Sequence, residues 1–469
     1  MIGLLKGELH EIWGKDKWKN LFAPVDKAAV VLFRMGFGFI MFWEVTRYFR
    51  HDWINRYWVE PLWNFSYGPF NFSPMGGIAM HVLWVILGLL ALFIAFGFLY
   101  RISTVLFFLG FTYTFLLEQG RYLNHFYLVV LISFVMIFIP ANRYYSLDAR
   151  IWKQIKSPVI ENWCLWMIRF LLAIPYFFGG VAKINPDWLQ GYPLRIWLLG
   201  DLDFPIIGPY FTEYWMILVM SYSGLLLDLL IVPALLWKKT RRAGFIAIAL
   251  FHLMNSELFT IGIFPWFMMI ATTLFFNPSW PRHLRNFFKN KHKLLIEKED
   301  LKQFEDYVSG LNRKPILIGL AVFCSIQLIL PFRHLVIPGN VHWTEEGHRY
   351  SWHMKLRSKK GYTTFFVKDK ADGVITEVDL YEYLEDWQIE DMDGKPYMIW
   401  EFADFLKKEY AEMNEDVEVY VDALASLNGR EYQHIVDPNV DLTSFPKPNF
   451  GYASWIIPLT TDLSEQRED

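Results

Sequence analysis

Apolar residues gather into nine runs along the chain, at about 28–48, 76–99, 103–118, 123–140, 161–182, 214–237, 243–257, 261–277 and 314–331. The runs at 76–99 and 214–237 hold roughly 20 apolar-dominated residues each, enough for a helix to cross a bilayer. The set predicts a polytopic membrane bundle. The seventh and eighth runs are short. They are separated by Asn255-Ser256-Glu257 and Gly262, a break that fits either one interrupted helix or a helical hairpin.

The distribution of basic residues chooses between these, because cytoplasmic loops carry an excess of Lys and Arg. The N-terminus holds Lys6, Lys15, Lys17, Lys19 and Lys27, and is placed inside. Nine crossings then put three further basic loops on that side. These are 141–160 with Arg143, Arg150, Lys153 and Lys156; Lys238-Lys239-Thr240-Arg241-Arg242; and 278–313 with Arg282, Arg285, Lys289, Lys291 and Lys293. A single crossing over 243–277 would put the most basic loop outside. The hairpin is therefore expected, although the outer loop 46–75 keeps Arg47, Arg50 and Arg56. The start, MIGLLKGELHEIWGKDKWKN, has no apolar core of signal-peptide length, so the first membrane helix is expected to direct insertion. Leu294, Leu295, Leu301, Phe304 and Val308 have helical spacing and predict an amphipathic surface helix within 278–313.

Beyond Pro331 the pattern changes. Thr363 to Lys368 and Gly373 to Asp379 read as strands, and Val417, Val419 and Val421 alternate as in a half-buried strand. Trp400 to Met413 reads as a helix with Phe402, Phe405 and Leu406 on one side, and Asn428-Gly429 is a hairpin turn signal. The expected fold is an all-α membrane bundle of about nine transmembrane helices (1–331), followed by a smaller α+β, strand-rich extracytoplasmic domain (332–469).

Composition agrees with this division. The chain has 469 residues, 54% hydrophobic and 19% aromatic. Its net charge of −3 hides an asymmetry: residues 332–469 hold 14 basic and 27 acidic residues, and 1–331 hold 31 basic and 21 acidic. The basic residues flank membrane segments and form no stripe, so membrane lipids and not nucleic acid are the expected partners. Cys164 and Cys324 both fall inside apolar runs and read as core residues, and no CxxC or HExxH metal spacing appears. Asn64 and Asn71 open two Asn-Phe-Ser sequons in a predicted outer loop.

The candidate chemistry centres on Tyr176 to Tyr192, YFFGGVAKINPDWLQGY. A long apolar helix runs into Lys183, and Asn185-Pro186-Asp187-Trp188 then breaks it. An amine at the edge of hydrocarbon is desolvated, which favours its neutral, basic form. A lysine snorkelling from a helix end is the plain alternative. On the predicted topology three polar clusters reach the same outer side: Arg121-Tyr122-Leu123-Asn124-His125, Lys183, and His252 to Glu257 with Asn255. Arg34 and Asp228 lie inside helices, where pairing between helices is the simple reading. The aromatic load, including Phe177, Phe178, Trp188, Phe264 and Trp266, suits a flat apolar ligand such as a quinone, and equally suits packing and interfacial anchoring.

Four stretches together carry a resemblance. They are Tyr122-Leu123-Asn124-His125-Phe126-Tyr127-Leu128; Gly180-Val181-Ala182-Lys183-Ile184-Asn185-Pro186-Asp187-Trp188; Phe251-His252-Leu253-Met254-Asn255-Ser256-Glu257-Leu258-Phe259; and Asn340-Val341-His342-Trp343-Thr344-Glu345-Glu346-Gly347 leading to Tyr350-Ser351-Trp352. In this order they resemble the vitamin K-dependent gamma-glutamyl carboxylase family, especially its shorter, bacterial-type members. The resemblance implies oxidation of vitamin K hydroquinone by O2 to the epoxide, removal of a γ-proton from a peptide glutamate, and addition of CO2. It implies Lys183 as the base that starts hydroquinone oxidation and His125 as a second catalytic residue. It implies Asn124, Tyr122, His252, Asn255 and Trp188 as quinone-pocket residues, and no metal. The bacterial inner membrane is preferred over the endoplasmic reticulum. Ala182 stands where better-known members have a second lysine, the interdomain disulfide of those members cannot form, and the outer domain is short. An epoxidase without a peptide acceptor, and a non-catalytic receptor or transporter bundle, are the other readings.

Overall fold

The computed structural model describes residues 20–446 and 451–463, apart from 69, 260, 289–295, 297–300, 302–303 and 305–311. Among the described residues each of the nine apolar runs is helical. The helices are α1 (Ala28–Arg50), α2 (Gly77–Phe96), α3 (Tyr100–Leu116), α4 (Asn124–Phe138), α5 (Asn162–Ala182), α6 (Tyr214–Leu236), α7 (Arg241–Leu258), α8 (Phe264–Thr272) and α9 (Lys314–Ile329). Five helices are long and apolar enough to cross a membrane: α1, α2, α5, α6, and Lys314–Val336, which extends α9. Tyr100–Leu116, Asn124–Phe138 and Phe264–Phe275 are apolar but shorter. The interruption near Gly262, where φ is +64°, separates α7 from α8, so the broken stretch is two helices that pack together. Leu294, Leu295 and Val308 of the expected surface helix lie outside the described residues. Phe304 is buried against Val159.

Large apolar side chains stay exposed along α2 (Val82, Val85, Leu89), α3 (Ile102, Leu106, Leu109) and α9 (Ile318, Val322, Ile326), the surface a membrane protein offers to lipid.

The bundle has two distinct ends. At one, β1 (Pro24–Asp26) pairs antiparallel with β2 (Val159–Glu161), and Arg282 forms a buried ion pair with Asp26 at 2.7 Å. Arg34 donates to the carbonyls of Ala141 (3.3 Å) and Tyr145 (2.8 Å). It therefore caps a loop instead of pairing with another helix, because buried carbonyls need donors as much as a buried carboxylate does. The basic loops gather at this end.

The acidic domain covers the other end. Its sheet has the order β4 (Ile375–Glu377), β3 (Lys359–Asp369), β5 (Val417–Leu427), β6 (Gln433–His434), all antiparallel, with Phe365 opposite Val421 and Val367 opposite Val419. Burial alternates along β5 as the valine pattern predicts. Asn428 and Gly429 both have positive φ, at 54° and 83°, and turn the chain into β6. Helix α10 (Pro396–Glu412) buries Phe402, Ala403 and Leu406 in the core of this domain.

Polar contacts fasten the two parts. Ser66 Oγ donates to Glu401 at 2.5 Å, Gln388 Nε2 to Trp63 O at 2.8 Å and Trp387 Nε1 to Arg56 O at 3.1 Å; beside them, within the bundle part, the buried Glu118 carboxylate accepts from Asn64 Nδ2 (3.0 Å) and Phe65 N (3.1 Å). The first sequon asparagine is thus held inside the joint, whereas Asn71 is exposed. In the connector, Trp343 packs in the outer core and Trp352 in the bundle core.

Candidate active site

The local sequence explains where Lys183 sits. Helix α5 ends at Ala182, and Asn185 caps the next short helix, Pro186–Leu189, by accepting from Trp188 N at 3.0 Å. Lys183 is thereby held between two helices as the C-cap of the first. Gly179 and Gly180, one turn earlier, let α6 approach. A Cβ on Gly180 would lie 2.7 Å from Leu229 Cδ2 and 3.1 Å from Leu229 N. This closeness brings the neighbouring Asp228 to Lys183: Nζ to Oδ2 is 2.6 Å, and both side chains are buried. Lys183 Nζ also lies 5.1 Å from the centroid of the Trp188 ring, and Trp188 Nε1 donates to Ser221 O at 3.0 Å.

The pair opens on a cavity of about 680 Å³, within the size range of small-ligand sites. Tyr122, Asn124, His125, Lys183, Trp188, His252 and Asn255 all line it. Met220, Met254, Met268, Met354, Phe251, Phe259 and Phe264 give it a soft, apolar wall. Asn124 starts α4, accepts from Tyr122 OH at 3.1 Å, and donates to His353 O at 3.4 Å. His125 follows it, packed edge-on against Phe126, and its ring has no hydrogen-bond partner among the described residues. His252 shares a 2.8 Å hydrogen bond with Tyr176 OH. Glu44 and Arg47, paired at 2.6 Å, also line the cavity, as do Arg121 and Lys355.

A family model described as the HTTM domain matches residues 22–280, and one described as the vitamin K-dependent gamma-carboxylase lumenal domain matches residues 312–462. This chain belongs to the vitamin K-dependent gamma-carboxylase family. No solved structure matches it.

The fold thus gathers around one cavity residues that are far apart in sequence. Glu257, grouped with His252 in the sequence, is exposed instead. Desolvation alone does not describe Lys183, because its amine is paired with a carboxylate 2.6 Å away. Lys183 and Asp228 form a buried pair. Sequence reasoning read Asp228 only as a helix-to-helix contact, which it is, and gave it no place in the cavity. Its signal was an acid inside an apolar run; the partner was not readable. Asp187 was also missed. Its carboxylate receives two hydrogen bonds from Arg430, at 2.7 and 2.8 Å, and one from Asn428 at 2.6 Å.

Proposed function

We propose that the chain is an integral membrane enzyme that oxidises vitamin K hydroquinone with O2 and couples this to carboxylation of a glutamate by CO2. The observation that carries the reading is the Lys183–Asp228 pair at 2.6 Å, buried at the wall of an apolar cavity that His125 also lines. Such a pair is neutral overall. With the shared proton on Asp228, the Lys183 amine takes one proton from a hydroquinone hydroxyl and the pair becomes singly positive, beside the oxygen anion it has just created. The low-dielectric wall strengthens that attraction. Oxidation of the substrate by O2 then supplies the strong base that no side chain provides for a glutamate γ-carbon. Aromatic and methionine side chains hold the ring system and exclude water. His125, with no hydrogen-bond partner among the described residues, is placed to donate to or accept from oxygen atoms on the ring, with Asn124 beside it.

The outer domain faces the extracytoplasmic side in this reading, and nine crossings are retained. The basic loops at the opposite end of the bundle support both. The glutamate acceptor is a peptide or protein. A hydroquinone epoxidase without a peptide acceptor is the second reading, favoured by the short outer domain. Purified protein in detergent, given reduced vitamin K, bicarbonate and a glutamyl peptide, tests all of this. Epoxide with carboxylated peptide supports the full reaction, and epoxide alone supports the second. Absence of epoxide from folded protein leaves a receptor or transporter.

A further inference from the structure

We propose that His342, His348 and His353 form a structural site for a first-row transition-metal ion, with zinc the ion that suits it best. The three side chains are buried, and one ligand nitrogen from each lies within 4.8 Å of the others. Their ring centroids are 5.1 Å (His342–His353), 5.3 Å (His348–His353) and 6.2 Å (His342–His348) apart. A tetrahedral ion with bonds of about 2.0–2.1 Å needs nitrogens about 3.3 Å apart, which small rotations of the side chains reach.

Two further observations point to a ligand. His342 Nδ1 and both nitrogens of His353 are buried without a hydrogen-bond partner in the described chain, although buried polar atoms are normally paired. The segment is also folded tightly by a run of left-handed residues, Glu345, Gly347, Tyr350 and Trp352, with φ between 62° and 75°. Such backbone in non-glycine residues persists where the surroundings enforce it, and it concentrates at functional sites. Here it brings three imidazoles from one short stretch to a single point.

The surroundings fit a set of neutral ligands. Arg357 lies nearby but is paired with Glu345 at 2.6 Å. Imidazole donors without thiolate or carboxylate suit zinc and its neighbours over calcium or magnesium. Trp343 and Trp352 anchor the segment in the two cores, and Asn124 donates to His353 O. A metal here would brace the joint between bundle and outer domain directly behind the quinone wall. The CxxC and HExxH patterns do not describe spacings of six and five residues, so no familiar motif marks the three histidines.

The test uses the full chain, purified in detergent on a tag free of histidine. It is stripped with chelator, incubated with Zn2+, desalted, and its metal counted by mass spectrometry. One zinc per chain and a raised unfolding temperature are expected. His342→Ala and His353→Ala should each weaken retention at least about tenfold, while His434→Ala, at the sheet edge, should not. Co2+ loading of the unsubstituted protein gives a readout independent of variant folding: the absorption of a nitrogen-ligated tetrahedral site is expected. Folded protein that retains no zinc above buffer and shows no Co2+ band would overturn the proposal, as would retention unchanged in the two variants. Either result would mean a water-bridged histidine cluster.

Discussion

Asp187 and Arg430 meet through two parallel hydrogen bonds, Nη2 to Oδ1 at 2.7 Å and Nη1 to Oδ2 at 2.8 Å, with both side chains buried. Asp187 lies four residues after Lys183, and Arg430 follows the Asn428-Gly429 turn. The outer domain therefore grips the lysine-bearing stretch itself. Removing one partner strands a buried charge, so Arg430→Ala is expected to cost about 3–5 kcal/mol. Arg430→Lys should recover only part of it, since an ammonium cannot make the two-pronged contact. Thermal or denaturant unfolding in detergent reads this; an Arg430→Ala protein as stable as the unsubstituted one would contradict the clasp.

Gly180 sets the spacing of α5 and α6. A methyl group there meets Leu229 at 2.7 Å, so Gly180→Ala is expected to push the helices apart and cost about 1–3 kcal/mol. It should reduce turnover by more than that loss of stability explains, because Asp228 moves with Leu229. Turnover unchanged at saturating hydroquinone would show that the close approach is not needed for the pair.

Lys359 ties β3 to the connector. Its Nζ donates to Trp343 O and lies 3.7 Å from Glu345. Burial lowers its pKa from 10.5 to about 7, with Glu345 opposing the shift. Between those values the unfolded chain holds a proton that the folded chain has lost. Stability is therefore expected to rise with pH from about 7 to about 10.5, the full contribution being present only above the unfolded value. Unfolding midpoints measured across that range should flatten in Lys359→Met. An identical slope in the variant would assign the dependence elsewhere.

The proposed sidedness can be tested at the two ends of the bundle. A cysteine placed at exposed Glu431 should react with a membrane-impermeant maleimide added to the extracytoplasmic face, and one at exposed Lys238 should not. The reverse pattern would invert the topology.

Much of this molecule is legible along the chain. Long apolar runs report helices directly, and valine alternation reports β5, because both patterns arise from burial on a fixed local period. The Asn185-Pro186 break and the Asn428-Gly429 turn are equally local. What the sequence hides is non-local partnership. Asp228 lies 45 residues from Lys183, and Asp187 lies 243 from Arg430. No periodicity encodes which buried charges meet. The same holds for the three histidines, whose convergence depends on left-handed turns at Glu345, Tyr350 and Trp352, residue types that do not announce them. Arg34 shows the opposite case: a helix charge read as pairing with another helix donates instead to the carbonyls of Ala141 and Tyr145.

In the proposed reaction the buried Lys183–Asp228 pair accepts the hydroquinone proton on the lysine amine. The most direct measurement is epoxide formation from reduced vitamin K by the unsubstituted protein, Lys183→Ala, Lys183→Arg and Asp228→Asn, with hydroquinone binding measured in parallel. The account predicts binding retained in all four and epoxide lost in both lysine variants, since a guanidinium stays protonated. It predicts a loss of about 10²-fold or more in Asp228→Asn. Epoxide formed at the unsubstituted rate by Lys183→Ala or Lys183→Arg would contradict it.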